Sequence, residues 1–192
     1  AEGDYRLQLT ANDSQLVETD EILIHVGNLS ADLLGHWKLD DAGGNSAMDS
    51  SGYNNPGTLV NAPVNTWTPG KYNGALDLDG VDDYVVMSTS NILQPSSLTI
   101  GAWVKPETSD TSWGWIAGEG DNYGLAVNRF NFDDVLFYFY NGSKWVYEIV
   151  ANTGINDDSW HHVAASFDEA SGLIRIYIDN IERASKYVGG SI

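Results

Sequence analysis

The sequence predicts an all-β protein, built as a sandwich or barrel of short antiparallel strands. Apolar and polar residues alternate in one segment after another, which is the pattern of a strand with one buried face. No long segment has the period of a helix. The chain has 19 Asp but only 8 Glu, together with 16 Asn and 20 Gly. Because Asp, Asn and Gly favour turns whereas Glu favours helices, this composition indicates many strands joined by polar turns.

The first two predicted strands lie near the start of the chain. Apolar residues alternate with polar ones over residues 5–10, and Ile22, Ile24 and Val26 share one face of a second segment, with Leu23 and His25 on the other. Two strands are too few to form an independently stable unit. We therefore interpret residues 1–28 as the end of a preceding domain, residues 29–32 as a linker and residues 33–192 as the main domain.

A long polar segment, residues 40–68, follows the linker and is rich in glycine and proline. It is too long for an ordinary connection, and loops of this length are often functional or ordered by a metal ion. Beyond it, two aromatic runs flank Asn141-Gly142, which is the strongest short signal for a hairpin because both residues tolerate positive φ. The other predicted strands are residues 98–105, 160–167, 173–179 and 181–187.

Composition and charge exclude several classes of function. The 192 residues include 27 acidic and 9 basic side chains, which gives a net charge of −18. Without a concentrated basic patch such a chain cannot replace the counterions of phosphate, which argues against nucleic acid and anionic membrane surfaces as partners. The absence of cysteine excludes disulfides and thiolate metal sites. No apolar run reaches the roughly 20 residues that span a bilayer, so membrane insertion is not expected.

Six segments occur together in an order that points to a known family. They are LLGHWKLDD, AMDSSGYNNPGTL, KYNGALDLDGVDDYVVM, SLTIGAWVKP, SWHHVAASFD and IRIYIDN. From about Leu33 to Val188 the chain thereby resembles the laminin-G-like group of concanavalin A-like jelly rolls. The resemblance implies an antiparallel two-sheet jelly-roll sandwich. Modules of this group often carry calcium at a loop edge, so the resemblance also implies a calcium site.

Both ends of the chain depart from that family. The first segment, GDYRLQLTANDSQLVETDEILIHV, is similar to the last two strands of PKD-type or cadherin-like immunoglobulin-fold repeats. Members of the laminin-G-like group continue past the IYIDN strand, whereas this sequence stops at Ile192. We therefore expect a jelly roll that lacks its last strands and has open sheet edges.

The acidic and histidine residues do not form a recognisable catalytic motif. Glycoside hydrolysis needs two carboxylates that flank the scissile bond. The nearest candidates, Glu119 and Asp121, lie in a glycine-rich turn, and Gly124 stands where a third acid would fall. His161 and His162 are neighbours on a strand and therefore point to opposite faces. We interpret the chain as non-catalytic and keep a divergent glycoside hydrolase or lyase as an alternative.

The polar loops offer oxygen ligands of the kind that calcium takes. Carboxylates placed this close together repel one another unless a cation or water screens them. Alternatively, these residues are ordinary turn formers that only set the net charge. We predict one calcium ion, and the candidate ligands are Asp40, Asp49, Asn54, Asp79 and Asp82.

The aromatic residues offer a surface for a polar ligand. The chain has 7 Trp and 10 Tyr, and sugars bind by stacking their apolar faces on flat rings while polar side chains bond the hydroxyls. We assign Trp37, Trp103 and Trp160 to strand packing. The candidate ligand-binding residues are Trp113, Trp115, Tyr123, Arg129, Tyr138, Tyr140, Trp145 and Tyr147. The strand register decides whether these rings face a ligand or belong to the core.

Together these features predict a non-catalytic carbohydrate-binding and adhesion module of a larger secreted or cell-surface bacterial protein. Its partners would be a glycan or polysaccharide and the neighbouring domains of the same protein. The alternative is a structural or protein-binding module that calcium makes rigid and that has no affinity for glycans. That alternative predicts that no aromatic ring lies exposed in a concave groove.

Overall fold

The computed structural model describes residues 3–12, 17–26, 32–63, 66–87, 91–108, 113–120, 122–128 and 133–189, the first two ranges by their backbone alone. Strands β1 (Gly3–Asn12) and β2 (Val17–Val26) pair with each other as an antiparallel hairpin. The two predicted strands are therefore confirmed, while their origin in an immunoglobulin-like repeat stays a prediction. No helix in the described part of the chain is long and apolar enough to cross a membrane.

The polar segment predicted as one long loop contains several short strands, which corrects that interpretation. Strands β3 (Ser46–Ala47), β4 (Gly57–Val60) and β7 (Tyr84–Met87) form one antiparallel sheet. Strands β5 (Trp67–Pro69) and β6 (Gly74–Leu76) form a separate two-stranded sheet. Segments of two to four residues show too little alternation to be recognised from the sequence.

The remaining strands form two four-stranded antiparallel sheets, which confirms the predicted all-β sandwich. The first sheet has the strand order β9-β10-β11-β12, and the second has the order β8-β13-β14-β15. A short 3₁₀ helix (Asn91–Leu93) precedes them. The strands are β8 (Leu98–Val104), β9 (Gly114–Glu119), β10 (Tyr123–Val127), β11 (Asp134–Tyr140), β12 (Trp145–Ala151), β13 (His161–Asp168), β14 (Leu173–Ile178) and β15 (Ile181–Tyr187).

Alternate residues of the two sheets form the hydrophobic core. Phe137 and Phe139 of the first sheet and Ile174 of the second are completely buried. Phe139 packs against Phe167 across the core, with 4.4 Å between ring centroids. All residues of this buried cluster lie between Tyr123 and Ile178. Removal of their apolar surface from water is the main force that holds the sandwich together.

The turn between β11 and β12 fixes the register of the first sheet. Gly142 adopts a φ of 81° there. The side-chain oxygen of Asn141 accepts hydrogen bonds from the N–H groups of Ser143 and Lys144 at 3.1 and 3.0 Å. The predicted hairpin is therefore present, with a connection of four residues. Because a slip of one residue would turn every side chain to the other face, this turn determines which rings are exposed.

Candidate functional site

The outer face of the first sheet carries a group of large rings. Alternate residues of β11 are phenylalanines buried in the core, so Tyr138 and Tyr140 point away from the core. The register places Tyr147 opposite Tyr138, and Trp145 opposite Tyr140. Four of the predicted ligand-binding residues therefore lie on one face of the sheet, away from the core.

Five rings contact one another in succession across this face, and we call them the aromatic row: Trp113, Trp115, Tyr138, Trp145 and Tyr140. The ring centroids are 4.7 Å apart for Trp113 and Trp115, and 5.4 Å apart for Trp115 and Tyr138. Trp145 lies 5.3 Å from both Tyr138 and Tyr140. All four pairs are tilted or edge-on, the arrangement that aromatic quadrupoles favour.

Gly124 makes the contact between the two halves of the row possible. It lies on β10, with Tyr138 beside it on β11, and Trp115 of β9 pairs with Ala126, two residues further along β10. A Cβ atom at Gly124 would lie 2.6 Å from Cζ3 of Trp115 and 2.7 Å from Cε1 of Tyr138. Because the glycine has no side chain, rings from β9 and β11 meet above β10.

The row is accessible to a ligand. Trp115 is 50% exposed and Trp145 is 49% exposed. Within the described residues, neither indole N–H has a protein acceptor. By contrast, Trp37 and Trp67 donate their indole N–H to backbone carbonyls at 2.8 and 2.9 Å. Trp115 and Trp145 thus present both an apolar face and a hydrogen-bond donor at the surface, whereas Trp37 and Trp67 hold loops together.

Tyr147 lies at the edge of the row, beneath a lysine. The Nζ atom of Lys186 is 5.6 Å from the centroid of the Tyr147 ring. The same ammonium donates to the carbonyl oxygen of Tyr147 at 3.0 Å and is 3.1 Å from the carboxylate of Glu148. A cation therefore lies over one face of this ring, and its charge is balanced by the neighbouring acid.

Tyr123, which is also among the predicted ligand-binding residues, does not join the row. Tyr123 is buried in the core, and its hydroxyl donates to the carbonyl of Leu93. Burial raises the pKa of Tyr123 to about 12, and the negative charge of Glu119 adds to that shift. This placement corrects the prediction of a ligand-binding Tyr123, since the ring fills space between the sheets. Arg129 lies outside the described residues.

The second sheet has an exposed tryptophan that the sequence interpretation assigned to packing. Trp103 is 37% exposed on the outer face. Its ring lies 5.7 Å from Tyr72 and 5.4 Å from His162, and Nζ of Lys71 is 4.9 Å from its centroid. This cluster connects the β5–β6 turn to β8 and β13. The alternation of Ile100, Ala102 and Val104 already places Trp103 on the opposite, outer face.

Asp49, predicted as a calcium ligand, organises its own loop. Its Oδ1 accepts the N–H groups of His36 and Ser51 at 3.0 and 2.8 Å. Its Oδ2 accepts the hydroxyl of Ser51 at 2.7 Å and the N–H of Asn55 at 3.0 Å. Burial favours a higher pKa, but the backbone donors outweigh it and hold the pKa at about 2. These four hydrogen bonds occupy the lone-pair sites of the carboxylate.

An acidic cluster brings together two of the predicted calcium ligands. One carboxylate oxygen from each of Asp79, Asp82 and Asp83 lies within 4.8 Å of the others. The backbone N–H of Val81 lowers the pKa of Asp79, and Asp82 accepts the side-chain amide of Asn61 at 3.0 Å. Oxygen donors of this kind fit calcium, although six to eight are needed in all. The calcium ion stays a prediction.

The other two predicted calcium ligands lie apart from this cluster. Asp40 lines a cleft together with Trp67 and Asn73, and the Asn73 amide is 3.5 Å from its carboxylate. Asn54 is exposed, with a φ of 56°, in the loop that Asp49 holds. The residues predicted from two acidic segments thus belong to separate places in the fold.

Glu119, one of the two nearest candidates for a catalytic acid, accepts hydrogen bonds from side-chain amides. Glu119 accepts the side-chain amide of Gln94 at 2.8 Å and that of Asn122. Asp121 lies outside the described residues. Glu119 therefore links the segment after the 3₁₀ helix to the β9–β10 turn, and the non-catalytic interpretation stays a prediction.

His161 is held between two carboxylates. Its Nδ1 is 2.8 Å from Asp179 and its Nε2 is 3.0 Å from Asp157. A neutral imidazole has one N–H only, so both contacts together require the protonated ring. Burial favours a lower pKa, but the hydrogen bonds to Asp179 and Asp157 outweigh it, so the pKa of His161 is raised. The charged ring links the loop before β13 to the β14–β15 turn.

Known proteins are similar to this chain in sequence and in fold. Residues 79–192 match the laminin G type of the Concanavalin A-like lectin/glucanases superfamily. The fold is similar to that of domain 4 of AbnA, a GH43 extracellular arabinanase from Geobacillus stearothermophilus. The structure of that domain was solved in complex with arabinotriose. The two chains are 21% identical with a TM-score of 0.56, and the match covers 82% of this chain and 76% of that chain. Domains LG4-5 of the mouse laminin alpha1 chain match with 17% identity, a TM-score of 0.36 and coverage of 52% and 27%. Among curated proteins, no sequence matches.

Proposed function

Since the chain belongs to the concanavalin A-like lectin/glucanase superfamily, we propose that it is a non-catalytic module that binds carbohydrate on the aromatic row. The observation that carries this proposal is the run of five touching rings on an exposed sheet face. Monomeric soluble proteins rarely expose large contiguous apolar patches unless the patch binds something. The row is such a patch.

The chemistry of the row suits a sugar better than a purely apolar ligand. A sugar ring has apolar C–H faces, which stack on aromatic rings, and hydroxyls, which need hydrogen-bond partners. Trp115 and Trp145 offer their faces together with indole N–H groups that have no acceptor in the described structure. A wholly apolar ligand would leave those donors unpaired on burial, which is unfavourable.

The structural neighbour supports the same class of ligand. The arabinanase domain of similar fold was solved in complex with arabinotriose, and its parent enzyme is described as extracellular. We propose by analogy that this module belongs to a larger secreted or surface protein and holds that protein to a polysaccharide or a glycan-bearing surface. A single open site of this kind binds weakly, and further modules in the same protein would raise the avidity.

Paired tryptophan variants test the proposal. Trp115→Ala and Trp145→Ala should each weaken binding to soluble arabinan, xylan or β-glucan by at least about tenfold, because truncation of an aromatic hot-spot contact costs about 2 kcal/mol or more. Affinity electrophoresis in gels that contain each polysaccharide measures the change. Trp103→Ala removes an exposed tryptophan from the other sheet and is the matched control.

The outcomes separate the proposal from its competitors. Loss of retardation in both row variants, with Trp103→Ala unchanged, supports the row as the site. Equal loss in the control would move the site to the second sheet. Failure of the unaltered protein to bind any glycan in a broad array would overturn the proposed function and favour a structural or protein-binding role.

A further inference from the structure

We propose that the aromatic row is one continuous series of subsites for the interior of a linear glycan chain, and that Gly124 determines its continuity. This inference rests on the proposed function and adds a ligand class to it. The ligand is a chain of several sugars that lies across the strands, instead of a single sugar or a chain end. The absent side chain of Gly124 sets how long that chain can be.

The direction of the row sets the minimum size of the ligand. Its members come from β9 and the residue just before it, from β11 and from β12, so the row runs across the strands of the first sheet. Neighbouring strands are about 4.8 Å apart, which makes the span from β9 to β12 roughly 14 Å. One sugar ring cannot cover that distance. Every contact along the row is 5.4 Å or less between centroids, so a chain lying on it meets no gap.

The exposure of the rings on the two edge strands favours the interior of a chain. Trp115 and Trp145 belong to the two edge strands of the sheet, and they are 50% and 49% exposed. A site for a chain terminus needs a wall that buries the last sugar on several sides. Rings that remain half exposed at both edges allow the chain to extend past the sheet in either direction.

Gly124 is the position where the row could most easily be broken. A Cβ there would lie 2.6 Å from Trp115 and 2.7 Å from Tyr138, with the Tyr138 hydroxyl at 2.8 Å. Each of these atoms is at the far end of a side chain, so the two rings would rotate apart while the backbone stays in place. The φ of Gly124 is not positive, so an alanine meets crowding from the rings and no backbone strain.

The expected effect of Gly124→Ala is a loss of chain-length dependence. The substitution would divide the row into Trp113 with Trp115 on one side, and Tyr138, Tyr140 and Trp145 on the other. Each half still accepts a short oligosaccharide, but one chain no longer engages both. We expect the affinity for a hexasaccharide to fall about tenfold, a change of 1.4 kcal/mol, while the affinity for a disaccharide stays nearly constant.

The experiment is a calorimetric titration with arabino-, xylo- and cello-oligosaccharides of two to six units. Gly101→Ala is the matched control, because Gly101 lies in β8 of the other sheet and a Cβ there would meet its neighbours at 3.4 Å. A hexasaccharide with a chemically reduced end tests interior binding, since it should bind as well as the unmodified one. Thermal unfolding of each variant checks that the fold is retained.

Each result supports or overturns the inference. Rising affinity with length in the unaltered protein, lost in Gly124→Ala and kept in Gly101→Ala, supports it. Equal affinity for all lengths overturns the continuous row but leaves the proposed function standing, whereas no binding at any length overturns both. An equal fall at every length in Gly124→Ala refutes the role of Gly124. If that variant does not fold, Trp115→Ala separates Trp113 from the rest of the row and should reduce hexasaccharide binding selectively.

Discussion

Residues 32–87 and residues 91–189 are held together by different interactions. In the later region, Phe137, Phe139 and Phe167 are at most 1% exposed and form the centre of the core. In the earlier region the strands have two to four residues, and Asp49 anchors a loop through four hydrogen bonds. Large buried rings therefore stabilise the later region, whereas in the earlier region a network of hydrogen bonds to one carboxylate adds to the burial of smaller apolar side chains.

The largest effect should come from the hydrophobic core. Phe137→Ala removes a completely buried ring and should lower the free energy of unfolding by about 3–5 kcal/mol, because it loses apolar burial and leaves a cavity. Chemical denaturation measures this change. Tyr138→Ala, the next residue on the same strand with the opposite orientation, is the control and should cost clearly less. A larger loss for Tyr138→Ala would contradict the assigned faces of β11.

A smaller and local effect is expected at Asp49. Asp49→Asn keeps one acceptor oxygen but turns an NH₂ group toward donors, which should destabilise the loop by about 1–3 kcal/mol. Hydrogen exchange at the amides of His36, Ser51 and Asn55 should quicken while the amides of β11 remain protected. Asp77→Asn, at an exposed acid of the same region, is the control.

The pH dependence of the same loop follows from its carboxylate. The folded pKa of Asp49 is about 2, below its ordinary value of 3.8. Its contribution to stability is therefore present above pH 3.8 and is lost as the pH falls through about 2. If the loop amides in the unaltered protein were equally protected across that range, the hydrogen-bond account of this region would be wrong.

The smallest effect on stability should come from His161, which lies in the later region, residues 91–189. The raised pKa of His161 means that its contribution is complete below the unfolded value near 6.5 and is lost as the pH rises through the folded pKa. NMR titration of the imidazole should give a value above 6.5, and Asp157→Asn should lower it. An unchanged value in Asp157→Asn would show that this carboxylate does not hold the ring.

The strands with regular alternation could be predicted from the sequence, and so could the faces of their rings. Tyr138 and Tyr140 alternate with phenylalanines, and the Asn141-Gly142 turn fixes their pairing with β12. Alternation would also have placed Tyr123 in the core, because it shares a face with Leu125. Tyr123 directly follows a polar turn in the sequence, which is typical of an exposed residue, but the alternation within β10 determines its position.

The contacts between distant segments could not be predicted in the same way. Trp115 and Tyr138 are brought together by the pairing of β9, β10 and β11 and by the missing side chain of Gly124. No local pattern contains that information. Likewise, Asp49 was predicted as a calcium ligand from its residue type, but its role in the loop depends on where three backbone N–H groups point.

The aromatic row crosses the strands of a twisted sheet. Adjacent strands of a sheet are rotated by about 20–25° relative to each other, so β9 and β12 differ by roughly 60–75° across three steps. A polysaccharide packed in a flat crystalline ribbon cannot follow such a surface. A hydrated chain with free torsions can coil to match it. For the proposed glycan ligand, the twist of the sheet therefore predicts that a dissolved or amorphous chain binds better than a crystalline one.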